Sequence, residues 1–176
     1  MAGLQPAGLE GPSLKTKVQA SSHKKVIVET LDRESIRGYL NPSQLGQGPA
    51  VDLLTQAGEH REIQLEGVRS IYFVRDFTDD FEPERKTFFS RPKLDGLWVR
   101  LKFRDNETLE GVVPNNLLDL LDRGVQITPP DLNGPSMRIF IPRSALTELT
   151  VLGVVGMQRR TQPKAVAAGQ SKLFES

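Results

Sequence analysis

An internal repeat constrains the fold of this chain more than any other feature of its sequence. Residues 26–38 align without a gap on residues 99–111. The identical aligned pairs are Val26/Val99, Asp32/Asp105, Glu34/Glu107 and Gly38/Gly111. A match that includes both the turn residues and the glycine predicts the same local structure in the two places.

Each copy of the repeat has the pattern of a strand, a tight turn and a second strand. Apolar and basic side chains alternate from Val99 to Arg104, which is typical of a strand with one buried face. The turns fall at Asp32–Arg33 and Asp105–Asn106, where polar side chains can satisfy exposed backbone groups. The glycine that closes each copy lies within the second strand and indicates a bulge or a sharp bend.

The similarity continues beyond the hairpins, with insertions. The corresponding segments are 51–54 and 125–128, then 63–65 and 139–141, then 68–73 and 146–151. Each copy therefore holds about five short strands with turn signals between them, a pattern typical of small barrels. We predict an all-β fold of two tandem five-stranded small barrels, over residues 24–76 and 96–156. One continuous sandwich remains the alternative.

The segments outside the two copies are polar or rich in turn residues. Residues 1–23 and 157–176 contain too few apolar side chains to offset the entropy of ordering, so we predict disordered tails. A linker over 77–95 joins the copies and contains Phe81, Phe88 and Phe89. We expect this linker to pack on a barrel or to pair with a sheet edge; an exposed partner-binding strip is the alternative.

Leucines at helical spacing over 116–123, followed by Gly124, predict one short helix in the second copy. The corresponding part of the first copy contains Pro and Gly and predicts a loop.

Composition excludes several classes of function. The formal net charge is +1, so no global charge attracts the chain to nucleic acid or to an anionic membrane. The chain has no cysteine and no apolar run of the length of a signal peptide or membrane span, and we predict a cytoplasmic protein without membrane association. No nucleophile–base motif, metal-ligand spacing or phosphate-binding glycine loop is present, which predicts a protein that is not an enzyme and uses no metal or cofactor.

Basic residues near aromatic ones are typical of a nucleic-acid surface. Arg100 and Arg104, with Trp98 nearby, have the residue types that bind single strands by phosphate contact and stacking. The same arginines alternate with apolar residues of a strand, and this favours the interpretation that they are solvent-facing charges.

Residues 38–46 resemble the Asn-x-Ser-x-x-Gly segment of PilZ domains, which are β-barrels that bind cyclic di-GMP. Arg33 and Arg37 have the spacing of the Arg-x-x-x-Arg pair that clamps the nucleotide in that family. The resemblance implies a nucleotide site at these two arginines, although here they lie inside the first hairpin. An ordinary turn is the alternative.

Taken together, the two copies resemble SH3-like or Sm-like barrels, because the strand–Asp–strand–Gly opening is similar to the first Sm motif. Four further segments resemble an uncharacterised bacterial family of tandem small barrels: Phe73–Phe77, Pro114–Leu117, Thr128–Asp131 and Arg138–Ala145. The resemblance covers about residues 24–155. It implies a bacterial cytoplasmic protein, sometimes associated with PilZ or signalling domains, and no particular activity.

These patterns favour a non-enzymatic binding or adaptor module in bacterial regulation or signalling. We expect its exposed sheet edges, with Phe81, Phe88 and Phe89, to receive a protein partner or a second copy of the chain. The first alternative is binding of RNA or single-stranded nucleic acid through the barrels, with Arg100 and Arg104. The second is binding of cyclic di-GMP.

Overall fold

The fold is all-β, and ten strands hold most of the described chain. The computed structural model describes residue 3 and residues 22–82, 85–116, 118 and 123–156. The strands are β1 (Lys24–Thr30), β2 (Ser35–Leu40), β3 (Ala50–Thr55), β4 (His60–Gln64), β5 (Val68–Val74), β6 (Gly96–Phe103), β7 (Thr108–Val113), β8 (Gly124–Ile127), β9 (Ser136–Pro142) and β10 (Leu146–Val155). Short 3-10 turns lie at Pro42–Gln44, Leu65–Gly67 and Arg143–Ala145. We call residues 24–74 the first half and residues 96–155 the second half.

The aligned hairpins β1–β2 and β6–β7 have the same turn geometry. Arg33 and Asn106 occupy the same position of the turn, and both adopt a left-handed backbone, with φ of 67° and 66°. The Thr30 amide donates to the Glu34 carbonyl at 2.9 Å, and the aligned Phe103 amide donates to the Glu107 carbonyl at 2.9 Å. The aligned residues therefore form the same local structure twice.

The aligned glycines allow a neighbouring strand to approach closely. A Cβ atom on Gly38 would lie 2.5 Å from the Leu54 carbonyl oxygen of β3. A Cβ atom on Gly111 would lie 2.8 Å from the Ile127 side chain of β8. Both positions therefore exclude a side chain for the same steric reason.

The strands have the same order in the two halves. The order in the first half is β4-β3-β2-β1-β5. In the second half, β10-β6-β7 form a three-stranded sheet, β8 and β9 form a pair, and a single bridge between Val112 and Thr128 joins β7 to β8. The pairing of the fifth strand with its neighbour is also interrupted by a bulge at the same place in each half. In the first half, the register of β1 and β5 shifts between Glu29 and Thr30. In the second half, the register of β10 and β6 shifts between Leu146 and Glu148.

The halves share a sheet, which differs from the predicted arrangement of two separate closed barrels. Strand β5 of the first half pairs antiparallel with β9 of the second, so the order of the seven-stranded sheet is β4-β3-β2-β1-β5-β9-β8. Neither sheet is a closed barrel. The physical reason lies in β5, because every residue of Val68–Val74 is buried and such a strand must be covered on both faces.

Two hydrophobic cores meet at this shared pairing. Ile71 and Phe73 of β5 pack in the first-half core, and Tyr72 and Val74 of the same strand pack in the second-half core. Conversely, Phe140 of β9 packs in the first-half core, while most of the other β9 apolar residues pack in the second. Each half thus supplies apolar side chains to the other.

One predicted correspondence is wrong by two residues. Val51 lies opposite Ile63, and the aligned Val125 lies opposite Ile141, so Ile63 corresponds to Ile141 rather than to Ile139. The loop between β8 and β9 carries an insertion, and sequence similarity alone did not place it correctly.

Several predicted segments lie outside the described residues. The two tails fall there almost entirely, and most of the helix predicted over 116–123 does so too. No helix in the described part of the chain is long and apolar enough to cross a membrane.

Candidate functional site

Of the four end strands of the two sheets, β7 and β8 are joined to each other by the bridge between Val112 and Thr128, and the other two, β4 and β10, are the candidate binding edges. Each pairs with one neighbour only, β4 with β3 and β10 with β6. Among the described residues, no backbone hydrogen bond reaches the other edge of either strand. Such an edge presents unpaired N–H and C=O groups that can template another strand.

Charged and polar side chains protect β4 against pairing. His60, Arg61 and Glu62 are all exposed on this five-residue strand. The His60 Nδ1 atom lies 2.7 Å from an Asp52 carboxylate oxygen. Charges on a short edge strand are a common device against unwanted strand addition, because a partner would have to desolvate them.

Strand β10 lacks this protection. It is ten residues long, and Glu148 is its only charged residue. Val151 and Val154 are 48% and 61% exposed. The Arg91 guanidinium donates to the Val154 carbonyl near the end of the strand, so we call residues 147–152 the open stretch of β10.

The open stretch corresponds to the covered part of β5. Ile71 lies opposite Val28, and Leu149 lies opposite Leu101, which aligns with Val28 in the repeat. By the same register Val151 corresponds to Phe73, which is only 3% exposed. The difference arises because β9 covers β5, whereas no described strand covers β10.

A charged cluster fastens the two hairpin turns to each other. It contains three cations and three carboxylates: Arg33, Arg69, Lys86, Glu29, Asp105 and Glu107. The buried Arg69 guanidinium donates to Glu107 at 2.8 Å and stacks over the Phe103 ring at 3.9 Å. Because the formal charges of the cluster balance, its cations are committed to carboxylates within the chain.

The cluster lowers the pKa of two of its carboxyl groups, Asp105 and Glu107. Burial alone would raise both pKa values. For Asp105 it is outweighed by a hydrogen bond from the Glu107 amide and by the charges of Arg69 and Arg33. For Glu107 it is outweighed by hydrogen bonds from Arg33 and Lys86 and by their charges. Burial, together with the Glu29 carboxylate, raises the pKa of Tyr72 to about 12.

A cavity of about 390 Å³ lies beside the cluster. Its apolar wall is supplied by both halves and by the linker: Ile27, Tyr72, Phe81, Phe103, Leu109 and Ile139. The mixed, balanced charges around it provide no excess cation for a phosphate group.

Arg37 and Glu110 occupy aligned positions in the two halves, and each holds the linker. The Arg37 guanidinium donates to the Thr78 and Asp79 carbonyls at 2.8 and 3.2 Å. The buried Glu110 carboxylate accepts from the Phe88 amide at 3.1 Å. Burial alone would raise the pKa of Glu110, but hydrogen bonds from Arg100, Phe88 and Trp98 outweigh it and lower that pKa.

The three predicted partner-binding phenylalanines have different surroundings. Phe81 is partly buried, and its ring meets the Tyr72 ring edge-on at 5.0 Å. Phe88 is half-buried, with its ring 6.2 Å from that of Trp98. Phe89 is 83% exposed and carries the Arg85 guanidinium over its ring at 4.1 Å.

The four arginines predicted to contact nucleic acid or a nucleotide are not gathered in one site. Arg33 belongs to the charged cluster, and Arg37 holds the linker. Arg100 pairs with Glu110 at 2.8 Å, and the Arg104 side chain is exposed in the second turn. The alternation from Val99 to Arg104 is the one expected of a half-buried strand, because Val99, Leu101 and Phe103 are buried.

The segment with the PilZ-like pattern forms a capped turn. The Asn41 side chain accepts from the Ser43 amide at 3.1 Å and from its hydroxyl at 2.9 Å, and this caps the 3-10 turn Pro42–Gln44. Among the described residues, no group of three or more His, Asp or Glu side chains is placed to hold a metal ion.

The prediction of exposed sheet edges did not distinguish β10 from β4, although the sequence contains the signal. Residues 60–62 are all titratable, while residues 149–155 contain no charge. The contrast between protected and unprotected edges is therefore readable once the end strands are known.

The described residues define an all-β protein of two similar halves, in which the end strand β10 contains a single charged residue. The family model that matches the chain is the family of unknown function DUF6982, over residues 22–153. The chain belongs to this family, and the matched region covers both halves. No curated protein and no solved structure matches the chain.

Proposed function

We propose that this protein is a non-enzymatic binding or adaptor module that takes an extended segment of a protein partner onto β10. The observation that carries the proposal is the open stretch of β10, which is unpaired among the described residues and leaves Val151 half exposed. An added strand would satisfy the backbone groups and cover this apolar surface together. The resemblance to bacterial sequences adds the expectation of a role in bacterial regulation.

The pairing of β5 with β9 supports the proposal as an internal precedent. There the equivalent strand accepts an antiparallel neighbour over Ile71–Val74. The β5 residues Ile71 and Phe73, which this neighbour helps to cover, are fully buried. Strand β10 keeps the register of β5 over Leu149–Val151, up to a second register shift between Val151 and Gly153, and these three residues are the proposed acceptor for a strand from another molecule.

Selection of random linear peptides on the full-length chain tests the proposal. We expect selected peptides to slow amide hydrogen exchange in the open stretch of β10 when exchange is followed by mass spectrometry. The same peptides should bind Val151→Lys at least about tenfold more weakly, because an ammonium group at the edge must be desolvated.

Arg61→Ala on β4 is the matched control, since it changes an exposed residue of the other end strand. It should leave peptide affinity unchanged. Failure to select any peptide, or protection that maps to β4 or to Phe89 instead, would contradict the proposal.

A further inference from the structure

We infer that β10 selects partner strands that carry a large apolar residue opposite Leu149, as β9 carries Phe140 opposite Ile71. The inference rests on the proposed strand addition and specifies the chemistry of the partner. The β5–β9 pairing serves as a template for the edge of β10 that no described strand covers.

The register of the template is well defined. On β5 and β9, Ile71 lies opposite Phe140, Tyr72 opposite Ile139, and Phe73 opposite Arg138. Leu149, Thr150 and Val151 correspond to the three β5 residues by their pairing with β6. A partner strand in the same register therefore places one residue opposite Leu149 and the residue two positions earlier opposite Val151.

Phe140 shows what the position opposite Leu149 requires. It is 5% exposed and completes the first-half core, where it packs with Ile71 and Phe73. In the second half, Leu149 packs against the core but is only partly buried, and Val151 is 48% exposed. A large apolar side chain at the equivalent site would cover both residues, and burial of such a side chain is the largest favourable contribution available at this edge.

A second copy of this chain does not supply such a strand through β4. Glu62 corresponds to Phe140, because Ile63 corresponds to Ile141 by its pairing with the aligned Val51. Pairing of β10 with β4 of another molecule would therefore place a carboxylate against Leu149. Burial of an unpaired carboxylate is strongly unfavourable. Copies of the chain should therefore not polymerise by pairing β10 of one molecule with β4 of the next.

The face of β10 that carries Thr150 explains why one added strand is sufficient to cover the apolar side chains of this edge. Tyr72 reaches into the core of the second half from β5, while the corresponding Thr150 is exposed. The partner residue opposite Thr150 therefore has no described hydrophobic core to pack against and faces solvent. The partner is thus an extended segment with one large apolar anchor and a polar or solvent-facing residue beside it.

Peptides copied from β9 test the inference with the full-length protein. The probe is a fluorescent peptide with the sequence of residues 134–142, and its anisotropy reports binding. Replacement of Phe140 by Leu in the peptide should change the affinity only a few-fold, whereas Phe140→Glu should lower it at least about tenfold. A peptide with the sequence of residues 58–66, which contains β4, should bind as weakly as the Phe140→Glu peptide.

Two protein variants locate the binding. Val151→Lys should lower the affinity for the β9 peptide at least about tenfold, and Val154→Lys, the same change beyond the open stretch, should not. Both residues are exposed, so both variants should fold. Hydrogen exchange of β5 should stay unchanged, which shows that the peptide has not displaced the protein's own β9.

The outcomes separate this inference from the proposed function. Equal binding of the β9, Phe140→Glu and β4 peptides at β10 would overturn the selectivity and leave strand addition intact. Binding that displaces β9 from β5, or that survives Val151→Lys, would overturn the selectivity at β10. Absence of binding by every peptide would contradict both proposals.

Discussion

The two halves of the molecule share a hairpin, a strand order and a bulge, yet they complete their cores differently. In the first half, β9 covers the fifth strand and Phe140 closes the core. In the second half, the fifth strand is an end strand and its apolar residues remain partly exposed. The comparison shows that five strands in this order leave part of the apolar surface of the fifth strand exposed unless another strand covers it.

The linker provides a second contrast at aligned positions. Arg37 holds linker carbonyls, whereas Glu110 holds a linker amide. A donor and an acceptor at the same place in the two halves therefore attach two different parts of one segment, its beginning and its middle. The opposite charges suit this task because a guanidinium only donates hydrogen bonds and a carboxylate only accepts them.

Phe140→Ala should give the largest loss of stability, because it makes the first half as incomplete as the second. Removing a fully buried phenylalanine leaves a cavity and is expected to lower the free energy of unfolding by about 3–5 kcal/mol. Urea unfolding followed by tryptophan fluorescence measures the loss. Met137→Ala on the same strand is the control, and a similar effect of both changes would show that Phe140 does not close the core.

Gly38→Ala should lower the free energy of unfolding by about 1–3 kcal/mol because its Cβ would meet a backbone oxygen that cannot move away. Gly111→Ala should also be destabilising, since its added Cβ would lie 2.8 Å from the Ile127 Cβ, which is fixed to the backbone of β8. Gly67→Ala, where nothing lies within 4 Å of the added Cβ, is the control. Thermal unfolding of the three variants ranks them, and an equal cost at Gly38 and Gly67 would contradict the close approach of the strands.

Glu110→Gln should reduce the loss of stability in acid. The lowered pKa of Glu110 stabilises the fold above its ordinary value of 4.5, and this contribution disappears as the pH falls through the lowered value. The variant should therefore be less stable than the natural chain near neutral pH, and the difference should shrink in acid. Urea unfolding of both proteins, near neutral pH and in acid, measures the difference in the free energy of unfolding. A difference that does not depend on pH would contradict the role of the carboxylate.

Asn106→Gly should have the smallest effect, a gain of about 0.5 kcal/mol, because glycine adopts the left-handed turn without steric cost but loses more entropy on folding. Arg33→Gly at the aligned position should show no such gain, since it also removes ion pairs to Glu29, Asp105 and Glu107. Calorimetric midpoints of the two variants provide the comparison. A larger gain at Arg33 than at Asn106 would show that the charged cluster contributes nothing.

Much of the local structure could be predicted from the sequence. The hairpins at 26–38 and 99–111 and the buried face of β6 follow from short-range patterns. The all-β class follows from the spacing of strands and turns. From the sequence, the candidate site could be predicted only as an exposed sheet edge. Its position on β10 could not be predicted, because the end strands are known only when all the strand pairings are known.

The sequence by itself determined which residues form hairpins, because alternation, turn chemistry and close-packed glycines act between residues a few positions apart. Only the tertiary structure decided that β5 pairs with β9 and that Phe140 enters the core of the other half. That pairing joins Ile71 to a residue far along the chain. Many partners are compatible with a strand that is apolar on both faces, and the choice among them depends on which arrangement buries the most surface at once.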